Sequence, residues 1–267
     1  MWYWTKLLFL ILVGSVLAWL AYELITFPSI SRLKTENPTT TSMIEYRKSE
    51  AIADGREPKA YMIWMPMEQI SPHLQRAVLA GEDSRFFEHN GFDWEAIEKA
   101  WDEAVKEGER EARADCAAEA KVNKTPVKEC ASREDEWIPP LPSFKRGAST
   151  ITQQLAKNLY LSEDRNFLRK GREAVYTYFL ERNLSKKRIL EIYLNVIEWG
   201  DGVYGAEAAS RTYFKKSASN LAPSEAAYLA AMIPSPLNVF NPAKNPKRVQ
   251  RRQRVLLKYM SGMKLNY

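Results

Sequence analysis

The stretch Arg146–Leu161, RGASTITQQLAKNLYL, constrains this chain more than any other. Thr150, followed three residues on by Gln153, fits a capping box: the threonine side chain caps the first turn and the glutamine reaches back to the threonine amide. A helix is therefore expected to start here. From that start Gln153 and Lys157 are four apart and Gln154 and Lys157 three apart, so one face carries two amides and a cation. Taken alone, that face fits a solvated surface as well as a wall aimed at a ligand. Its surroundings decide between them.

The chain has 267 residues, enough for one large domain or two small ones with a sizeable core. Its formal charge of +6 directs it towards acidic partners: phosphate-bearing substrates, anionic lipid or nucleic acid. The charges are unevenly spread. No Asp or Glu follows Glu225, whereas Lys244, Lys247, Arg248, Arg251, Arg252, Arg254 and Lys258 all do. Such a tail is ordinarily solvated, and beside a membrane it is drawn to anionic headgroups.

Leu7–Tyr22 is uncharged and mostly apolar, with Trp2, Tyr3 and Trp4 before it and Glu23 after. Counted from Trp2 this is about 20 residues with only Lys6 charged, near the length that spans a bilayer. Lys6 can snorkel and the aromatics can sit at the interface. A transmembrane anchor is expected within residues 1–27. The competing expectation is a cleaved signal peptide, processed at Val16-Leu-Ala18; the Trp-rich amino terminus favours the anchor. The amino terminus would then be cytoplasmic and the rest of the chain periplasmic, although Arg32 and Lys34 run against the usual charge bias. Cys116 and Cys130 are close in sequence, and in an exported domain they invite a disulfide. Two cysteines and two distant histidines do not make a metal-ligand pattern.

Residues 28–69 are mixed and polar, with little periodicity, and are expected to be a linker to a domain over 70–267. Ser71-Pro72 starts a helix, serine capping and proline in the first position. Leu74, Ala77, Val78 and Leu79 follow, and the helix should end near Gly81 with Glu82 and Asp83 at its carboxyl end. Phe92–Val105 is a second candidate. Lys106–Lys121 is charged and Ala-rich without an apolar stripe, so it is either a solvated helix or disordered. Trp137–Pro142 is extended, and residues 106–144 together are expected to be an insertion. Glu173–Leu180, Lys186–Leu194, Ala206–Tyr213 and a segment from Pro223 to Ile233 fit core helices, with a turn over Gly200–Gly205. No period-2 strand pattern stands out. The fold class is mainly α.

Two clusters carry chemistry. Glu82, Asp83, Glu88 and Asp93 are packed with Arg85 and His89 into a dozen residues. A carboxylate at the carboxyl end of a helix meets the negative end of its dipole, which raises its pKa and suits it to general-base work. The second cluster, Asp164–Glu173, sets Arg165, Arg169, Lys170 and Arg172 ahead of Glu173, and Arg with Lys suits phosphate. Each cluster alone fits a solvated surface equally well.

In order, EDSRFFEHNGFD, RGASTITQQLAKN, RKGRE and SKKRILEIYLN resemble the motifs of the peptidoglycan glycosyltransferases, most closely the monofunctional, membrane-anchored biosynthetic type. GDGVYGAEAASRTYF and LAPSEAAYLAAMIPSP resemble that family's later part. The resemblance covers roughly Ile70–Pro236. It implies a lysozyme-like glycosyltransferase domain that polymerises lipid II at the outer face of the cytoplasmic membrane. The 4-hydroxyl of lipid II attacks the anomeric carbon of a glycan carried on undecaprenyl diphosphate, with inversion. By motif match Glu82 is the general base, and Glu173 is a second carboxylate near the diphosphate or its metal ion. Lys157 and Arg169 hold diphosphate oxygens, and Arg165 and Lys170 are further substrate-binding cations. Asp83, Phe86, His89, Thr150 and Gln154 shape the site, though for His89 a packing role fits equally. The resemblance further implies a divalent ion, Mg²⁺ or Mn²⁺, and partners among cell-wall synthesis or division proteins, and it implies no nucleic acid. The spacing between the first two motifs exceeds the family's usual one, the excess lying in Lys106–Phe144.

Two other functions compete. A muramidase or lytic transglycosylase of similar fold would need a protonated acid at the scissile bond, whereas these motifs are rich in cations. A membrane-anchored scaffold would have no need of Glu82 and Glu173.

Overall fold

The computed structural model describes residues 2–123, 149–161 and 167–267. Arg165 lies outside them, as do Cys130 and the side chain of Cys116, so the expected disulfide falls outside the described residues. The described chain is mainly helical. α3 (Pro72–Glu82) begins as its sequence predicts, with Pro72 in the first position and Ser71 Oγ accepting the His73 N–H at 3.3 Å. Leu74, Val78 and Leu79 are buried, each gaining roughly 1.5–3 kcal/mol from removal of its side chain from water. That burial fixes the helix whose last residue is Glu82. α3 packs on α9 (Pro223–Met232), and α10 (Pro246–Tyr259) packs on both. Ala226, Ala227, Ala230 and Ala231 are fully buried in α9, and such small side chains let neighbouring backbones approach.

α5 (Ile151–Tyr160) packs on α6 (Phe167–Asn183) and on α7 (Lys186–Val196). Gly205, at φ +80°, opens α8 (Ala206–Phe214) with its backbone against the Asn195 carbonyl, a place where no side chain fits. A small sheet escaped the sequence reading. β1 (Tyr61–Met62) pairs parallel with β3 (Val203–Tyr204), which pairs antiparallel with β2 (Glu198–Gly200). Strands of two and three residues are too short for alternation to show.

The segment expected to be a linker is instead packed into the domain. Thr41 Oγ1 accepts the Ile44 N–H at 3.1 Å and starts α2 (Ser42–Ala53). Met43, Ile44 and Ala51 are buried, and Ser42 Oγ donates to Leu159 O of α5 at 3.0 Å. Asn195 clamps Met65 through both backbone groups, at 2.8 and 2.9 Å. The charged run from Lys106 is helical: Asp93 Oδ1 accepts the Ala96 N–H at 3.0 Å, and α4 continues as Trp94–Asn123.

α1 (Trp2–Ile25) is one helix whose apolar side chains, Leu8–Leu12 among them, are exposed. The side chains of Val16, Trp19, Leu20 and Leu24 lie outside the description, and among the described residues no helix is long and apolar enough to cross a membrane. Just after α1, Phe27 packs on Tyr176 and Phe179 of α6, with ring centroids at 5.4 and 4.9 Å.

Candidate active site

Glu82 closes α3 with its side chain only 7% exposed. Each carboxylate oxygen has a donor: Arg252 Nη2 reaches Oε1 at 2.8 Å and Gln154 Nε2 reaches Oε2 at 3.0 Å. Tyr193 Oη donates to Gln154 Oε1 at 2.8 Å and so turns the amide's N–H₂ towards Glu82. Burial raises the Glu82 pKa above the ordinary carboxylate value, while Arg252, Gln154 and Lys157 pull in the opposite direction. The direction agrees with a helix carboxyl end, but desolvation is the larger cause.

The capping box is present: Thr150 N–H donates to Gln153 Oε1 at 2.9 Å, and Thr150 Oγ1 accepts the Gln153 N–H at 3.2 Å. Thr150 Oγ1 also donates to Gly91 O at 2.7 Å. Asp83 Oδ2 accepts the Ile151 N–H at 3.0 Å, so the carboxyl end of α3 and the amino end of α5 are tied together. This tie sets Gln154 and Lys157 on the same cleft as Glu82. Phe86 and His89 lie behind the cleft, both buried, with Lys186 over the Phe86 ring.

Glu82 stands between two cavities. The larger, about 620 Å³, is lined by Glu82, Gln154, Lys157, Tyr193, Glu198 and Arg252 among others. The smaller, about 190 Å³, shares Gly81, Glu82 and Ser149 with it and continues along Asp83, Asp93 and Thr150. Lys157 lines only the larger. Glu173, 3% exposed, is on α6 outside both linings, with Arg169 Nη1 on Oε2 at 2.9 Å and Lys170 Nζ on Oε1.

Arg252 and Tyr193 were not singled out in the sequence. Arg252 was hidden in a basic run where every cation looks alike, yet Val249, Arg252 and Leu256 fall on one stripe, and Val249 and Leu256 are buried. That stripe was a usable signal. Gly81 admits Arg252, since a Cβ there would meet Leu256 Cδ2 at 3.1 Å and Arg252 Nη2 at 3.3 Å.

Asp83, His89 and Asp93 bring three candidate metal-ligand atoms within 4.8 Å of one another. The hydrogen bonds do not fit a bound ion. Gly91 N–H donates to His89 Nδ1 at 3.2 Å, so Nε2 carries the ring proton and points it at Asp83, at 3.0 and 3.1 Å. A ligating imidazole would need that proton gone. Glu173 fits no better, because cations already occupy both its oxygens.

Fold and site define a mainly helical domain in which a buried carboxylate, Glu82, faces a cleft that also carries Lys157 and Arg252. The chain belongs to the transglycosylase family, which matches residues 49–114 and 141–261 and leaves uncovered part of the segment read as an insertion. Three relatives are named biosynthetic peptidoglycan transglycosylase. The protein of Chromobacterium violaceum is 39% identical over 98% of this chain and 99% of its own. That of Thiobacillus denitrificans is 41% identical over 91% and 90%, and that of Janthinobacterium sp. (strain Marseille) 39% over 97% of each.

Proposed function

We propose that this chain polymerises lipid II into glycan strands by inverting glycosyl transfer, with undecaprenyl diphosphate as leaving group. The observation that carries the mechanism is the place of Glu82 between two cavities, only one of which has Lys157 on its wall. The acceptor 4-hydroxyl, approaching from the smaller cavity, gives its proton to Glu82 as its oxygen bonds to the donor's anomeric carbon. The bond from that carbon to the diphosphate oxygen breaks, and the electron pair leaves with the diphosphate. Lys157 offsets the charge that collects there, and by the motif resemblance Arg169 and Lys170 of α6 would receive the diphosphate as it departs. Such a leaving group needs no strong acid to protonate it. Arg252 and Gln154 donate to both Glu82 oxygens and so oppose the upward push of burial, which supports the ionised form that a base needs.

The divalent ion, Mg²⁺ or Mn²⁺, is proposed to arrive on the substrate's diphosphate rather than in a protein cage, and no step above runs through it. We further propose that α1 anchors the protein in the cytoplasmic membrane, with the catalytic domain on the periplasmic side. Twenty-four helical residues rise roughly 36 Å, enough for a hydrocarbon core of about 30 Å. Glu23 pairs with Arg172 of α6, which would hold the domain close to the bilayer.

Incubating the protein with labelled lipid II and Mg²⁺ and sizing the products tests this function. Glycan polymer is expected. Cleavage of preformed glycan would indicate a lytic enzyme, and unchanged lipid II a scaffold.

A further inference from the structure

The larger cleft does not end at Arg47. Past Arg47, Leu237 and Asn238, which line both spaces, it opens into another cavity of about 430 Å³. Its walls come from parts of the chain that the sequence presented as linker and turn: Glu50 of α2, Arg56, Glu57 and Lys59 beyond it, Asp201 between β2 and β3, and Lys244 ahead of α10. The wall is rigidly built. Tyr61 N–H donates to Gly202 O at 2.8 Å, and Gly202, at φ +68°, lies so close to Lys59 that no side chain fits between them.

The charge here differs from the Lys157 end. Both signs are present and interspersed. Glu50 is held by Arg47 at 3.0 Å and Arg56 by Asp54 at 2.9 Å. Lys59 and Glu57 make no ion pair among the described residues, and Lys244 Nζ donates only to Leu237 O, at 2.9 Å. With Glu50, Glu57 and Asp201 set among Arg56, Lys59 and Lys244, the wall offers no single-sign field for a diphosphate, and a neutral sugar would leave its charges unmatched. A short peptide carrying carboxylates and a free amine matches both signs.

We propose that this cavity holds the peptide branch of a saccharide unit lying in the cleft. The proposal rests on the polymerase function above. If the diphosphate end of the donor sits at Lys157, its earlier saccharide units run towards Arg47 and Asn238, and a peptide hanging from one of them reaches the cavity.

The test uses the full-length protein and two lipid-linked disaccharides, one with its intact peptide and one with the peptide trimmed to a single residue. Wild type is expected to use the intact substrate with the higher kcat/KM. Lys59→Glu combined with Lys244→Glu should remove that preference, by about fivefold for each charge reversed, and leave the trimmed substrate unaffected. Lys59→Arg with Lys244→Arg should retain it. Equal use of both substrates by wild type, or an equal loss on both in the reversed variant, would overturn the proposal. A wild type that polymerises neither would instead sink the polymerase function, and the proposal with it.

Discussion

At the scale of the residue, burial pushes the Glu82 pKa up and Arg252 pulls it back down. Arg252→Met removes the cation and keeps much of the side-chain bulk. The Glu82 pKa should then rise further, because desolvation acts with less opposition. A base works only when deprotonated, so the acid limb of the kcat/KM profile should move to higher pH, and Arg252→Lys should move it less. An acid limb unchanged in Arg252→Met would show that Arg252 does not tune the base. The place of Glu82 at a helix end was legible in the sequence, since it follows from local signals. Its partners were less so. Arg252 is 170 residues away, and no local pattern brings such residues together; only tertiary packing does.

At the scale of the element, the α3–α5 junction holds the site together. Thr150 contributes a capping bond to α5 and a bond to Gly91 O. Thr150→Ala should therefore destabilise the protein by about 1 kcal/mol or somewhat more, read as a lowered midpoint in urea, and Thr150→Ser should recover most of it. Gly91, at φ +89° and with Thr177 Cγ2 only 2.7 Å from where a Cβ would stand, fixes the approach of α6 to the same junction. Elements with clear start signals, such as α3 and α9, could be placed from sequence to within a residue or two, as could the start of α5. α2 could not, because its three buried residues form no sustained stripe. The first half of α4 was expected as a helix over Phe92–Val105, and its continuation from Lys106 was left open because that charged, Ala-rich run offers no sustained apolar stripe.

At the scale of the whole molecule, α1 and the domain behave as one unit if α1 is the anchor. In a membrane fraction the full chain should resist extraction by high salt and by alkaline carbonate, and should be released by detergent. Release by salt alone would mean attachment through charge and not through α1. The exposed cations of α10 would account for that outcome. The basic tail was expected to be solvated or lipid-facing; the structure makes it a helix whose inner stripe completes the site and whose outer face keeps most of the charge.

The central claim is that Glu82 takes the acceptor's proton. Its most direct test measures lipid II polymerisation and thermal melting together for Glu82→Gln. Ionisation of a carboxyl whose pKa is raised on folding opposes folding. The stability this group contributes is fully present below the ordinary carboxylate pKa and is lost as pH rises through the raised one. Glutamine has no such cost; its carbonyl can still accept from Arg252, and its amide is accommodated if Gln154 turns its own carbonyl towards it and donates to Tyr193 Oη. At pH 7.5 the variant should therefore melt no lower than wild type while its turnover falls by roughly 10²-fold or more. Turnover within a few-fold of wild type, or a loss accompanied by lower melting, would contradict the account.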